Sequence, residues 1–287
     1  MTSHDCIYKL RKILKMKRIG HTGTLDPDVD GVLPICLGQA TRVAEYITDG
    51  KKAYRGQIIL GATTTTEDAS GEPIETKEVR EPIKREQVES VLNTFLGEIS
   101  QTPPMYSAVK VNGKKLYEYA REGKTVERPT RKAIIYSIRL LDHAETYQSQ
   151  IPFEVLCGKG TYVRTLAVDI GEKLGYPAHL NHLTRILSGG YNLEVCHSLE
   201  EIEQAAVAGQ ISGLLEPIEK AVADFPKWQV DAETELRVKN GAVLPQPEGF
   251  QDQRIAVYNN NRQCVAIYRE HPEKKGWIKP EKVFLQP

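Results

Sequence analysis

The sequence predicts an α+β chain that ends in a small β-rich module. Strand-like and helix-like segments interleave as far as Phe225, the texture changes past Phe225-Pro226, and 287 residues suffice for one large domain plus a small one. A composition of 40% hydrophobic and 26% charged residues excludes disordered and collagen-like classes. No apolar run is long enough for a membrane span, and no apolar stretch follows the basic N-terminal residues as a signal peptide requires. Five scattered cysteines without a Cys-x-x-Cys pair fit a reducing cytoplasm and suggest no zinc knuckle.

Taken in order, Ile7, Leu10, Ile13 and Leu14 recur at helical spacing after Ser3, so residues 5–18 read as an amphipathic helix capped by Ser3. Gly20 to Gly31 is too rich in Gly and Asp for regular structure and reads as a loop. Tyr54 to Leu60 predicts a strand, and Val88, Val91, Leu92, Phe95 and Leu96 predict a helix stopped by Gly97. Strands follow at 133–141 and 151–157. Between these elements, paired prolines, the turn signal Asn112-Gly113 and a helical patch at Leu116, Tyr117, Tyr119 and Ala120 mark Gln101 to Lys132 as an inserted arm. Thr161 to Leu174 reads as a helix, 190–196 as a strand, and Ser198 with Glu201 as a capping box opening an acidic helix. Residues 228–287 hold two β-rich runs, Ile255–Tyr258 and Val265–Tyr268, separated by Asn259-Asn260-Asn261.

Thirty-eight basic residues balance thirty-eight acidic ones, which by itself argues against a polyanionic partner. The balance is not uniform. Positions 9–18 hold six basic residues and no acid, and Met105 to Lys132 holds eight basic residues against three acidic ones. Residues 198–225 carry six acidic residues against one lysine. A phosphate backbone responds to the field within a Debye length, about 8–10 Å, and not to the whole-chain sum. Either run alone is also what a solvated helix face looks like. In the arm, however, Tyr106, Tyr117 and Tyr119 alternate with the cations, a mixture suited to an RNA backbone and its exposed bases.

The densest motif runs from Gly20 to Leu33 and admits three readings. Asp26, Asp28, Asp30 and Gly31 copy the opening of an EF-hand loop, but Leu37 stands where the bidentate Glu belongs. Asp and Gly also serve as plain turn formers. The third reading is a catalytic carboxylate, Asp26, pinned by Pro27 among Gly hinges and hydroxyls. His179 and His182 are too few for a metal site and read as surface or helix-end residues.

Gly20-His21-Thr22-Gly23-Thr24-Leu25-Asp26-Pro27, followed by Gly31-Val32-Leu33-Pro34-Ile35-Cys36-Leu37-Gly38, resembles the signature loop of the TruB-type tRNA pseudouridine synthases. Lys51 to Arg55 resembles that family's tyrosine strand, Gln101 to Lys110 with Leu116 to Arg121 its RNA-gripping thumb, and Gly160 to Thr165 its second active-site motif. The matches span residues 1–225; residues 226–287 resemble the small PUA-like domain of bacterial members.

The resemblance implies a pseudouridine synthase fold: a mixed, mostly antiparallel central sheet flanked by helices, with an inserted thumb arm at about 98–130, followed by the β-rich PUA-like module. It implies isomerisation of the T-loop uridine at tRNA position 55 to pseudouridine by base flipping, with no cofactor and no metal. Asp26 matches the nucleophile, Arg164 its cationic partner and Tyr54 the tyrosine that stacks on the target base. His21 matches the residue that enters the RNA, while Tyr162 and Leu183 match pocket-lining positions. Lys110, Lys114, Lys115 and Arg121, basic residues of the arm, are the expected contacts to the RNA backbone. The expected partner is the T-arm of tRNA; no membrane and no protein partner is implied, and the expected state is a cytoplasmic monomer.

Two departures bear on activity. The family pattern places a strand and a Lys-Pro-x-Gly turn ahead of Thr-Ser, whereas this sequence opens at Met1-Thr2-Ser3, implying either an upstream start or an unpaired sheet edge. Asp28 and Asp30 stand where the family has apolar or small residues, and carboxylates near Asp26 oppose its ionisation unless they point away. The rival expectation is a tRNA-binding folding chaperone, catalytically impaired by the missing strand.

Overall fold

The architecture is that of a computed structural model, which describes residues 1–284. The chain forms two units. The first comprises Leu25–Val32 and Asp49–Cys196, with Met1; the second comprises Thr2–Thr24, Leu33–Thr48 and the chain from His197 onward.

The first unit is organised by a seven-stranded sheet: β1 (Asp30–Gly31), β2 (Lys52–Leu60), β3 (Gly97–Gln101), β4 (Arg131–Leu140), β5 (Gln150–Cys157), β6 (Ala178–Ser188) and β7 (Tyr191–Asn192). The spatial order is β7-β6-β2-β5-β4-β3, with β1 beside β6. Every pairing is antiparallel except β1 with β6, so the sheet is mixed and mostly antiparallel, as the resemblance implies. Ile58, Leu60, Ile135, Ile151, Phe153 and Val155 turn one face of it into the core. The helices Arg85–Asn93 and Val163–Leu174 cover that face through Val88, Leu92, Leu166 and Ile170, burying the apolar stripe that their sequence spacing presents.

Several expected elements shift. The helix expected from Val88 to Leu96 is Arg85–Asn93 and is capped by Thr94; Gly97, at φ 89°, opens β3 rather than closing the helix. The strand expected at 190–196 is the short β7 followed by a 3-10 turn, and the long strand of the region is β6, which no pattern in the sequence announces. Bulges at Leu180/His182 and Arg185/Leu187 break its period-two alternation and so hide it. His179 and His182 therefore lie on a strand, and His179 Nδ1 is 2.7 Å from the carbonyl of Ala62.

Residues 98–101 and 131–132 at the ends of the expected arm pair in the central sheet. The segment between carries a two-residue hairpin, Lys110–Val111 with Lys114–Lys115, and the helix Leu116–Arg121. Asn112 (φ 50°) and Gly113 (φ 81°) take the left-handed pair that the Asn-Gly signal predicts.

In the second unit, the helix Ser3–Ile13 is capped by Thr2, not Ser3, through a reciprocal box with Asp5. Its buried Ile7 and Leu10 pack on Ile19, Leu199 and Ile202. The helix Leu199–Val207 carries the expected box: the Glu201 amide donates to Ser198 Oγ at 3.1 Å, and the Ser198 amide to Glu201 Oε2 at 2.7 Å. A five-stranded sheet occupies the C-terminal region, with Arg254–Tyr258 and Cys264–Glu270 forming the expected antiparallel pair. Asn259 closes their turn, its side-chain oxygen accepting from the amides of Asn261 and Gln263, both at 3.0 Å.

Candidate active site

The segment carrying Asp26 is a short turn, with the Val29 amide donating to the Asp26 carbonyl at 3.0 Å, and it is stitched to β6 immediately afterward. The Val32 amide donates to the Arg185 carbonyl at 2.8 Å, and Arg185 Nε donates back to the Val32 carbonyl at 2.8 Å. Gly31 (φ 101°) has no alternative at this contact, because a Cβ there would lie 2.2 Å from the Arg185 carbonyl oxygen.

Arg164 stands in the first turn of the helix Val163–Leu174. The helix start is held by a buried side-chain amide: Gln101 Nε2 donates to the Tyr162 carbonyl at 3.1 Å and its Oε1 accepts from the Tyr162 amide at 3.0 Å. Only 8% of the Arg164 side chain is exposed. Its Nη2 meets Asp26 Oδ2 at 2.8 Å and donates to the Tyr106 carbonyl at 3.0 Å; its Nη1 donates to the Thr66 carbonyl at 2.8 Å and faces Asp68 Oδ2 at 3.6 Å. Four acceptors fix the guanidinium plane, so the carboxylate it grips is fixed as well. Asp26 itself remains 47% exposed, gripped on one side and open on the other. That is the arrangement a carboxylate nucleophile needs, and a guanidinium is the wrong neighbour for a calcium ligand.

Tyr54 lies on β2 and packs against the core cluster that contains Leu183. Burial pushes its phenol up to about 12; the Arg185 charge and hydrogen bond pull the other way, and Asp26 adds to the rise. Between Tyr54 and the end of β2, Gly56 leaves room for Leu183, since a Cβ there would stand 3.0 Å from Leu183 Cδ1 and 2.8 Å from the His182 carbonyl. Tyr162, half-buried beside Arg164 in sequence, has its phenol raised by burial.

Asp26, Arg164, Tyr54, Tyr162 and Leu183 thus belong to one unit, whereas His21 lies in the other, paired opposite Ile35 in a two-stranded sheet. Asp28 and Asp30 are exposed, and Asp30 contributes its backbone to the bridge with Thr184. Two of the arm's tyrosines are occupied by its own cations: Lys115 and Arg121 lie over Tyr117, both 5.3 Å from its centroid, and Lys114 lies 4.9 Å from that of Tyr119. Lys114 also pairs with Glu122, while Lys110 and Arg121 are exposed.

Three residues of this neighbourhood lie outside what the sequence predicts: Asp68, Gln101 and Arg185. Asp68 sits in a hydroxyl-rich turn, where Thr66 Oγ1 donates to its Oδ1 at 2.6 Å and the Ser70 amide at 3.0 Å; the run Thr63-Thr64-Thr65-Thr66-Glu67-Asp68 is its only signal. Gln101 and Arg185 have no local signal, because each acts on a segment distant in the chain.

One unit thus combines a mixed sheet, an aspartate turn gripped by a helix-borne arginine, and a tyrosine on a central strand. The chain belongs to the TruB family: residues 11–163 match the family's pseudouridylate synthase N-terminal domain, and residues 164–223 match the tRNA pseudouridylate synthase B C-terminal domain. It is 54% identical over 286 residues to a protein of Halalkalibacterium halodurans named tRNA pseudouridine synthase B, covering 99% of this chain and 94% of that one. The protein of the same name from Bacillus subtilis is 53% identical over 294 residues, covering 100% of this chain and 94% of its own. Among solved structures, a Cbf5-Nop10-Gar1 complex contains a chain with TM-score 0.75 and 28% identity, covering 99% of this chain and 82% of that one. An H/ACA RNP bound to a substrate RNA containing 2′-deoxyuridine contains another, with TM-score 0.75 and 25% identity, covering 100% and 82%.

Proposed function

We propose that this protein isomerises a uridine of tRNA, the T-loop uridine at position 55, to pseudouridine. The observation that carries the proposal is the ion pair between the half-exposed Asp26 and the buried Arg164, in the unit that also holds Tyr54. The reaction breaks the bond from ribose C1′ to N1 of uracil and forms one from C1′ to C5. The proton lost from C5 is balanced by the proton gained at N1, so no electrons are exchanged with a cofactor.

In this reading Asp26 is the nucleophile, Arg164 keeps its carboxylate charged and aimed, and Tyr54 stacks on the base and accepts the C5 proton. Tyr162 and Leu183 line the base pocket, and His21 occupies the gap that the flipped nucleotide leaves. Lys110, Lys114, Lys115 and Arg121 hold the T-arm backbone. We assign residues 1–225 to the catalytic domain and 226–287 to a PUA-like module. The protein acts as a cytoplasmic monomer in this reading. Among the described residues no helix is long and apolar enough to cross a membrane. Nothing favours a binding-only chaperone, since Asp26 already rests on its arginine.

Incubation with a T-arm transcript, followed by nucleoside chromatography, tests the proposal. Wild type should convert one uridine per transcript, and Asp26→Asn should leave it unmodified while still binding. A folded wild-type protein that converts nothing would overturn the reading.

A further inference from the structure

Arg185 is 1% exposed, in a place where a charged side chain is expensive to bury. It lies directly opposite Tyr54 in the β6·β2 register, and side chains of directly opposed residues stand on the same face of a sheet. Its charge and hydrogen bonding pull the titration of the Tyr54 phenol down, against the rise that burial causes. Its Nε and its backbone carbonyl meanwhile hold both ends of the Val32 residue, just past the Asp26 turn. One buried cation therefore joins the segment bearing the nucleophile to the tyrosine of the same site.

We propose that Arg185 is a positioning residue for Tyr54, presenting the phenol oxygen to the target base as a proton acceptor; this rests on the pseudouridine synthase reading above. A phenol that accepts the C5 proton works as its anion, and the phenolate is what a fixed guanidinium favours. Burial and Asp26 oppose that anion, so the cation is needed where it stands. The titratable and charged groups around the phenol are Arg185 from β6, Cys157 from β5 and Asp26 from the turn. Lys52, two residues along β2 and buried, is the next cation, and its own charge is disfavoured by burial and by Arg185. Of the three groups around the phenol, Arg185 is thus the one that favours the phenolate.

The test is a double-mutant cycle read by single-turnover conversion of a T-arm RNA. Arg185→Met should slow conversion by about 100-fold with RNA affinity within about threefold of wild type. Arg185→Lys, which keeps the charge and disturbs the fold least, should recover part of the rate. In a Tyr54→Phe background, either change should cost less than about threefold, because the oxygen it acts on is gone. Losses that multiply in the double variants, or an Arg185→Lys variant no faster than Arg185→Met, would overturn the proposal and leave Arg185 a scaffold residue. A wild type that makes no pseudouridine would instead overturn the function on which the proposal rests.

Discussion

Arg164 donates to two backbone carbonyls while meeting two carboxylates, and the geometry of the site follows from that one residue. Its companion Asp26 is legible in the sequence through the resemblance of Gly20 to Gly38 to the TruB signature loop, since Asp and Gly alone would also make a plain turn. Asp68 is not legible: nothing in a run of threonines says that a carboxylate will face a guanidinium supplied from a helix far along the chain. Behind the site, Asp169 has its carboxyl raised to about 6 by burial and by the neighbouring charges of Glu67 and Glu172. A raised carboxyl favours the folded state while protonated, so this contribution is complete below about pH 4 and is lost as the pH climbs through 6. Asp169→Asn should match wild-type stability near pH 4 and exceed it by about 1 kcal/mol at pH 7, a gain limited because the side chain keeps part of its surface in water. Urea denaturation of both proteins across that range measures it, and a difference independent of pH would contradict the assignment.

At the level of elements, the strands and helices with regular apolar spacing are readable from sequence, while those defined by their partners are not. β2, β4 and β5 fall where alternation places them. The strand β6 carries Leu183 and Arg185 yet has no readable pattern, because two bulges scramble its alternation and only pairing with β2 makes it a strand. The same strand explains Gly31, whose positive φ and close approach to the Arg185 carbonyl seat the Asp26 turn on β6. Gly31→Ala should cost more than about 2 kcal/mol in urea denaturation and slow pseudouridine formation, since either the turn or β6 must move. A variant within about 0.5 kcal/mol of wild type would show that this close approach is not a constraint.

Across the whole molecule, a net charge of zero conceals a basic arm and an acidic stretch at residues 198–225. The arm's cations are not equivalent. Lys110 is exposed, whereas Lys114 is tied to Glu122 and rests over Tyr119, so part of its charge is already compensated. Replacing Lys110, Lys114 and Lys115 together by Ala should make the log–log salt dependence of RNA affinity shallower by about 2, since every phosphate left without its cation lowers the slope by about 0.7–0.9. An unchanged slope in filter-binding titrations would place the phosphate-binding cations elsewhere.

The TruB resemblance singles out Asp26, Arg164 and Tyr54 as candidate site residues, and the sequence by itself determined the mixture of helices and strands and the existence of the arm. It did so because local spacing, turn chemistry and charge runs are written in contiguous residues. Only the tertiary structure decided that Gln101 holds the start of the Arg164 helix, that Asp68 shares that arginine, and that Arg185 couples Tyr54 to the Asp26 turn. Those roles depend on hydrogen bonds and buried charge between segments that meet only when the sheet closes, and no pattern along the chain encodes them.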